Sequence, residues 1–177
     1  STLRAPVLSA TFNSVCTCII YLSLPPIFFF LKKDEDQETM MASGSIEQRS
    51  QWMGHLQTTI HERKIDPRIS DWLNAIDPQT LNQDDAAQVK HISRDFNRSA
   101  RIPADLASAI AITTSRSQLI WAQSRSDENF KSFVPVLSEV VNLKRREAEA
   151  LSSSNLYDAL LNDFEPGMTT KKLDKIF

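Results

Sequence analysis

Glycine is scarce in this sequence, three among 177 residues, and no long stretch alternates apolar with polar side chains. A sheet protein of this length needs many tight turns and half-buried strands, so both shortages argue against a β-rich fold. Cysteine is nearly missing too. Cys16 and Cys18 stand one residue apart, too close for an unstrained bridge in an extended or helical segment, and no second pair completes a zinc site. They read as two incidental thiols. The chain also has no marked excess of charge: a formal net charge of −2 and a pI near 5.9 give no bulk electrostatic pull toward nucleic acid or an anionic membrane. The one tight basic run, Lys144-Arg145-Arg146, is diluted at once by Glu147 and Glu149 and reads as a solvated helix face.

Catalytic signatures are equally thin. There is no glycine-rich phosphate loop and no Ser/His/Asp order worth proposing. The motif H-E-x-x-H, which sets two imidazoles one helical turn apart with a carboxylate between them, does not occur. His61-Glu62 begins like it, but Ile65 stands where the second histidine belongs. His55 and His61 are six positions apart, which does not place them on one helix face, and His91 lies far off. Glu62, Asp95, Asp158 and Glu165 read as surface charges or caps, and Ser115 has no base positioned by sequence to activate it. No residue is assigned a catalytic, cofactor-binding or metal-binding role.

What is present is helical punctuation. With 41% hydrophobic residues the chain can bury one core. Ser45 with Gln48 forms a capping box before Ile46, Met53, Leu56 and Ile60 on one face. Asp66-Pro67 caps the next helix, whose stripe is Ile69, Trp72 and Leu73; Asp77-Pro78 repeats the device. Asn82 with Asp85 opens a longer helix bearing Val89, Ile92, Phe96 and Ala100. Pro103 starts a helix to about Ser126 that should bury Leu106, Ile110, Thr113, Ile120 and Trp121. Asp127 then caps a helix with the stripe Phe130, Phe133, Val134, Leu137, Val140, Val141, Ala148 and Leu151, Pro135 being early enough to be tolerated. After Ser152–Asn155, the residues Leu156, Tyr157, Leu160 and Leu161 predict a helix, Pro166-Gly167 a tight turn, and Thr169 the cap of a last helix. The expectation is all-α: an antiparallel array of about six or seven helices without repeats. The last helix carries Leu173, Ile176 and Phe177 on an apolar side too short to bury itself.

The first part of the chain reads differently. Val15 to Leu31 is apolar and uncharged, but it is at the short edge of a bilayer span and Pro25-Pro26 interrupts it. Lys32-Lys33-Asp34-Glu35-Asp36 follows in place of a cleavage site, so neither a membrane span nor a signal peptide is favoured.

Several blocks carry a resemblance. The segment Tyr157-Asp158-Ala159-Leu160-Leu161, continuing to Phe164-Glu165-Pro166-Gly167-Met168-Thr169, closely resembles the corresponding segment of the carboxypeptidase Taq family, the thermostable carboxypeptidase 1 type of zinc metallocarboxypeptidase. Arg94-x-Phe96-x-Arg98, running on to Ile102-Pro103 and Leu106, resembles a second family block; Ser115, Gln118 and Trp121 match a third, and Glu47 with Arg49 a fourth. Asp36-Gln37-Glu38-Thr39-Met40 matches as well, although Glu35 replaces a tryptophan and Ala42-Ser43-Gly44 replaces Pro-Pro-Gly. Residues 1–35 look unlike the family and are expected to be disordered or an artefact of the gene model, with 36–177 forming the amino-terminal helical portion of the family fold.

The resemblance implies a larger, mainly helical metallopeptidase that removes carboxy-terminal residues from peptides through a zinc-activated water and a glutamate base. It implies peptide substrates and a homodimer; cytoplasmic residence is expected from Pro25-Pro26 and the missing cleavage site. The family's metal motif and the residues gripping the substrate carboxylate lie downstream of the Glu165-Pro166-Gly167-Met168-Thr169 block, so this chain is expected to bind no zinc and to lack activity without the carboxy-terminal catalytic portion. The alternative expectation is a noncatalytic helical interaction module. An exposed apolar face would favour the first and a polar exterior the second.

Overall fold

The protein's structure, a computed structural model, describes residues 42–177 except 78, 80 and 153, and only the backbone at 43. Cys16, Cys18, the apolar run from Val15 to Leu31 and the Asp36 to Met41 block lie outside the described residues, as does Pro78. A 3-10 turn at Ser43–Ser45 leads into α1 (Ile46–Lys64), α2 (Pro67–Ala75), α3 (Gln83–Arg101), α4 (Ala104–Ser126), α5 (Phe130–Leu151), α6 (Leu156–Leu161) and α7 (Thr170–Leu173). Every regular element among the described residues is helical, as the sequence predicts. None of these helices is long and apolar enough to cross a membrane.

The core lies where α4 packs between α1 and α5. Gly54 sets the closeness of the α1–α4 approach: a Cβ there would stand 2.6 Å from Ile112 Cγ1 and 2.7 Å from its Cδ1. The Ser108 hydroxyl donates to the Gly54 carbonyl at 3.2 Å, a contact that a longer side chain would push apart. Met53 and Ile60 on α1, Leu106, Ala107 and Ala111 on α4, and Val136, Leu143, Ala148 and Leu151 on α5 are buried. The α4–α5 seam is pinned by Glu139, which accepts from the Thr113 hydroxyl at 3.1 Å and from Arg116 at 2.6 Å.

Several local expectations change. Ser45 does not form a capping box, because its hydroxyl donates back to the Ala42 carbonyl at 2.8 Å and closes the 3-10 turn. Asp66 and Asn82 do cap α2 and α3, accepting from the backbone N–H of Arg68 and Asp85. Asp77 accepts from the N–H of Gln79, yet the long helix starts only at Gln83. Asp127 caps nothing to its right. It is the C-cap of α4, and Glu128 follows with φ 50°. Asn129 N–H reaches the Ser124 carbonyl at 2.8 Å and Glu128 N–H that of Arg125 at 3.2 Å, so the helix ends in a Schellman motif whose left-handed residue is a glutamate.

The buried stripes also shift. On α4, Leu106 and Thr113 are buried as expected, but Trp121 remains 46% exposed with the Arg125 guanidinium 5.6 Å from its ring centroid. A helix covered by neighbours on two sides buries small residues around much of its girth, and Ala107, Ala111, Ser115 and Ser124 are the result. On α5 the predicted stripe loses cover at Phe130 and Val134 near its start and again at Val141 midway, all three exposed. The side turned toward the core carries Val136, Leu143 and Glu147. In α3 the predicted stripe is half-buried at Val89, Ile92 and Phe96 and exposed at Ala100.

Candidate functional site

Three arginines follow from the spacing of α3. Arg94, Arg98 and Arg101 recur at four and three positions, which sets them on one helical face, and all three line a cleft of about 520 Å³. The far wall is built by Ser152, Ser154, Asn155, Asp158 and Asn162 and by the turn at Gly167 to Thr169. Two of the blocks that resemble the carboxypeptidase family therefore meet across one space.

The segment that forms this wall is shaped by polar bonds. Asn155 caps α6, its Oδ1 accepting from the N–H of Tyr157 at 3.0 Å and of Asp158 at 3.1 Å. Helix α6 ends at Leu161, before the proline expected to break it. Glu165-Pro166-Gly167-Met168 then makes the predicted tight turn, with Met168 N–H on the Glu165 carbonyl at 2.9 Å and Gly167 at φ 81°, the conformation a type II turn requires at its third residue. Asn162 Oδ1 receives the Gly167 N–H at 3.1 Å, and Lys172 Nζ donates to the Gly167 carbonyl at 2.8 Å. Thr169 was expected to cap the last helix but makes no side-chain cap. Asp158 does so instead from twelve residues away, its Oδ1 accepting the Thr170 N–H at 2.7 Å together with the Thr170 hydroxyl. Helix α7 stops at Leu173, and Ile176 and Phe177 are left exposed as expected.

Arg98 joins the three parts. Its guanidinium donates to Glu147 Oε1 on α5 at 3.2 Å and to Asp163 Oδ2 beyond α6. Lys144 Nζ occupies the other Glu147 oxygen at 2.7 Å. Glu147 is thus only 7% exposed, although the sequence placed it on a solvated face; the exposed members of that run are Lys144, Arg145, Arg146 and Glu149. A buried carboxylate is retained because both oxygens are paired. Desolvation pushes the Asp163 carboxyl up from its usual range, Arg98 pulling it back and Glu147 adding to the rise. Arg101 Nη1 donates to the Leu151 carbonyl at 3.1 Å and closes the carboxyl end of α5.

A second cleft of about 410 Å³ shares Arg98 and reaches His61, Lys64 and Asp95. His61 is 4% exposed, and burial, reinforced by Lys64 and opposed by Glu62, lowers its pKa. The other sequence candidates stay apart. His55, His91, Glu62 and Glu165 are exposed. Asp95 is exposed and meets its neighbour Arg94 at a long 3.4 Å. Ser115 is buried in α4, Gln118 and Trp121 are exposed, and Glu47 accepts from the Gln51 amide at 3.2 Å, all away from the clefts. Half-buried Arg49 lines neither cleft.

The described residues do not assemble a zinc site. Helix α1 buries His61 while His55 faces solvent, and among the described residues no three His, Cys, Asp or Glu side chains come together in a way that could hold a metal. The acids of the Arg98 cluster are paired with cations. Sequence reading missed Glu147, Asp163 and Lys144. Only the folded chain brings them to Arg98, across 49 and 65 residues in the case of the two acids.

With that geometry established, comparisons with known proteins place the chain. The family model described as carboxypeptidase Taq (M32) metallopeptidase matches residues 32–177. Thermostable carboxypeptidase 1 of Thermus thermophilus is 33% identical over 156 residues, covering 80% of this chain and 31% of the relative. Thermostable carboxypeptidase 1 of Pyrococcus furiosus is 27% identical over 147 residues, covering 80% and 29%. The crystal structure of BsuCP superposes with a TM-score of 0.82 at 22% identity, over 93% of this chain and 34% of that one, a likeness of fold. The chain spans about a third of the length of the relatives it matches.

Proposed function

The chain belongs to the carboxypeptidase Taq (M32) metallopeptidase family, and from that premise we propose that it is the amino-terminal helical portion of a zinc-dependent carboxypeptidase which, complete, removes single residues from peptide carboxyl termini. The observation that carries this reading is coverage. The family match runs over 32–177, while the chain accounts for about a third of each relative. The same reading gives residues 36–177 as the family portion, peptide substrates for the complete enzyme, and cytoplasmic residence.

In this account the helices contribute scaffold. Arg98, Glu147, Asp163 and Lys144 fasten the turn after α6 to the helical core, and no step of peptide hydrolysis is assigned to them, because the donor set for zinc is not among the described residues. Exposed apolar side chains favour this reading: Phe164 is 81% exposed, and Tyr157 and Ile176 are exposed as well. An autonomous interaction module fits a polar exterior better.

The test is to read the mature transcript in frame beyond the codon for Phe177. Another helix and, farther on, an H-E-x-x-H with a downstream glutamate are expected. A stop codon with no such motif nearby in any frame would leave the family as ancestry and overturn the enzymatic reading.

A further inference from the structure

The Arg94, Arg98 and Arg101 row raises a question of charge. Like charges one turn apart on a helix repel, and the three residues face one cleft. Arg98 is neutralised by Glu147 and Asp163. Arg101 spends one N–H on the Leu151 carbonyl and, among the described residues, meets no carboxylate. Among the described residues, Arg94 has only the long contact to Asp95, whose side chain is 65% exposed, and such a pair contributes little. The opposite wall adds donors. Ser152 and Ser154 bring hydroxyls that lie 3.1 Å from each other, and Asn162 commits its carbonyl oxygen to Gly167, which leaves its amide N–H groups. The one acid in the lining is Asp158, whose Oδ1 is already taken by Thr170.

We propose that this cleft is a binding site for an oxyanion, a carboxylate or phosphate carried by a small molecule, held between the guanidinium groups of Arg94 and Arg101 and the hydroxyls of Ser152 and Ser154. Guanidinium presents paired N–H donors that match either oxyanion, and a cleft of about 520 Å³ admits a compact metabolite. The inference does not depend on the peptidase reading.

The experiment is titration of the 177-residue chain at low ionic strength with inorganic phosphate and, separately, with succinate, followed by amide chemical shifts and calorimetry. Saturable binding of at least one probe is expected, with shifts centred on Ser152 to Asn155 and on α3, and the better probe identifies the anion class. Arg94→Gln should weaken it roughly tenfold, the size of one lost hydrogen bond to a charged group. Arg125→Gln, outside the cleft, should not. Arg101→Gln should weaken it similarly; because Arg101 also closes α5, its thermal melt is compared with that of the parent. Arg94 is partly exposed and tests the site without that complication. Absence of saturable binding by either probe, or binding that Arg94→Gln leaves intact, overturns the proposal.

Discussion

The α1–α4–α5 unit and the chain beyond Leu151 are held by different forces. The first is built on burial: Met53 is 2% exposed, Gly54 lets α1 and α4 approach, and small residues fill the seam. The second buries no residue in either of its helices. Its order comes from Asn155, Asp158, Asn162 and the Arg98–Asp163 pair, each a directional bond. A buried core is held by many contacts at once, whereas a polar tether fails when one partner is lost. The carboxyl-terminal segment is therefore docked on the core and not part of it.

Truncation separates the two regimes most sharply. Met53→Ala should cost about 2–4 kcal/mol in urea unfolding, because a long side chain leaves a cavity in a packed seam. Phe164→Ala removes a larger but exposed ring and should change stability by less than about 0.5 kcal/mol. Equal losses would erase the distinction.

Glu147→Ala tests the tether from the core side. It leaves Arg98 with Asp163 alone and Lys144 without its carboxylate, and should cost about 2–3 kcal/mol, below the full penalty for a broken buried pair because Arg98 keeps one partner and Lys144 is half exposed. Amide exchange should quicken from Leu156 to Leu173 ahead of α1 and α4. Uniform loss of protection would contradict a docked segment.

Acidity acts on the two parts with opposite sign. His61, lowered from its ordinary 6.5, binds fewer protons folded than unfolded. Its contribution to stability is full above 6.5 and is lost as pH falls below that toward the folded value. Asp163 is raised from 3.8, so its contribution is present at and below that value and is lost as pH climbs through the folded pKa. Stability measured against pH should fall below neutrality in the parent and flatten there in His61→Gln. An unchanged slope would refute the assignment to His61.

A smaller gain is expected at the α4–α5 corner. Glu128 occupies the left-handed region, and Glu128→Gly should raise stability by up to about 1 kcal/mol in thermal unfolding. A loss would show that its side chain matters more than its backbone.

The corner also shows where sequence stops being legible. Asp66, Asn82 and Asn155 cap helices because an acceptor sits directly before the helix, a local signal. The Schellman end at Glu128 lacks its usual glycine, so the residues pointed to an N-cap at Asp127 that does not form. Stripes were readable on α1 and α2 because each has one covered face. They misled on α4, covered on two sides, and at the start of α5, where Phe130 lies in solvent. The cleft was half visible: the arginine spacing and the Pro166-Gly167 turn stand in the sequence, but the burial of Glu147 and the reach of Asp158 to Thr170 depend on tertiary contacts.

The central claim is that this chain is scaffold from a metallocarboxypeptidase and does not itself carry the catalytic metal site. It is tested most directly by metal analysis of the 177-residue chain purified from zinc-supplemented medium, paired with an assay for amino acid released from a blocked dipeptide. The account predicts no stoichiometric zinc and no release; about one tightly held zinc per chain, with release that a chelator abolishes, would contradict it.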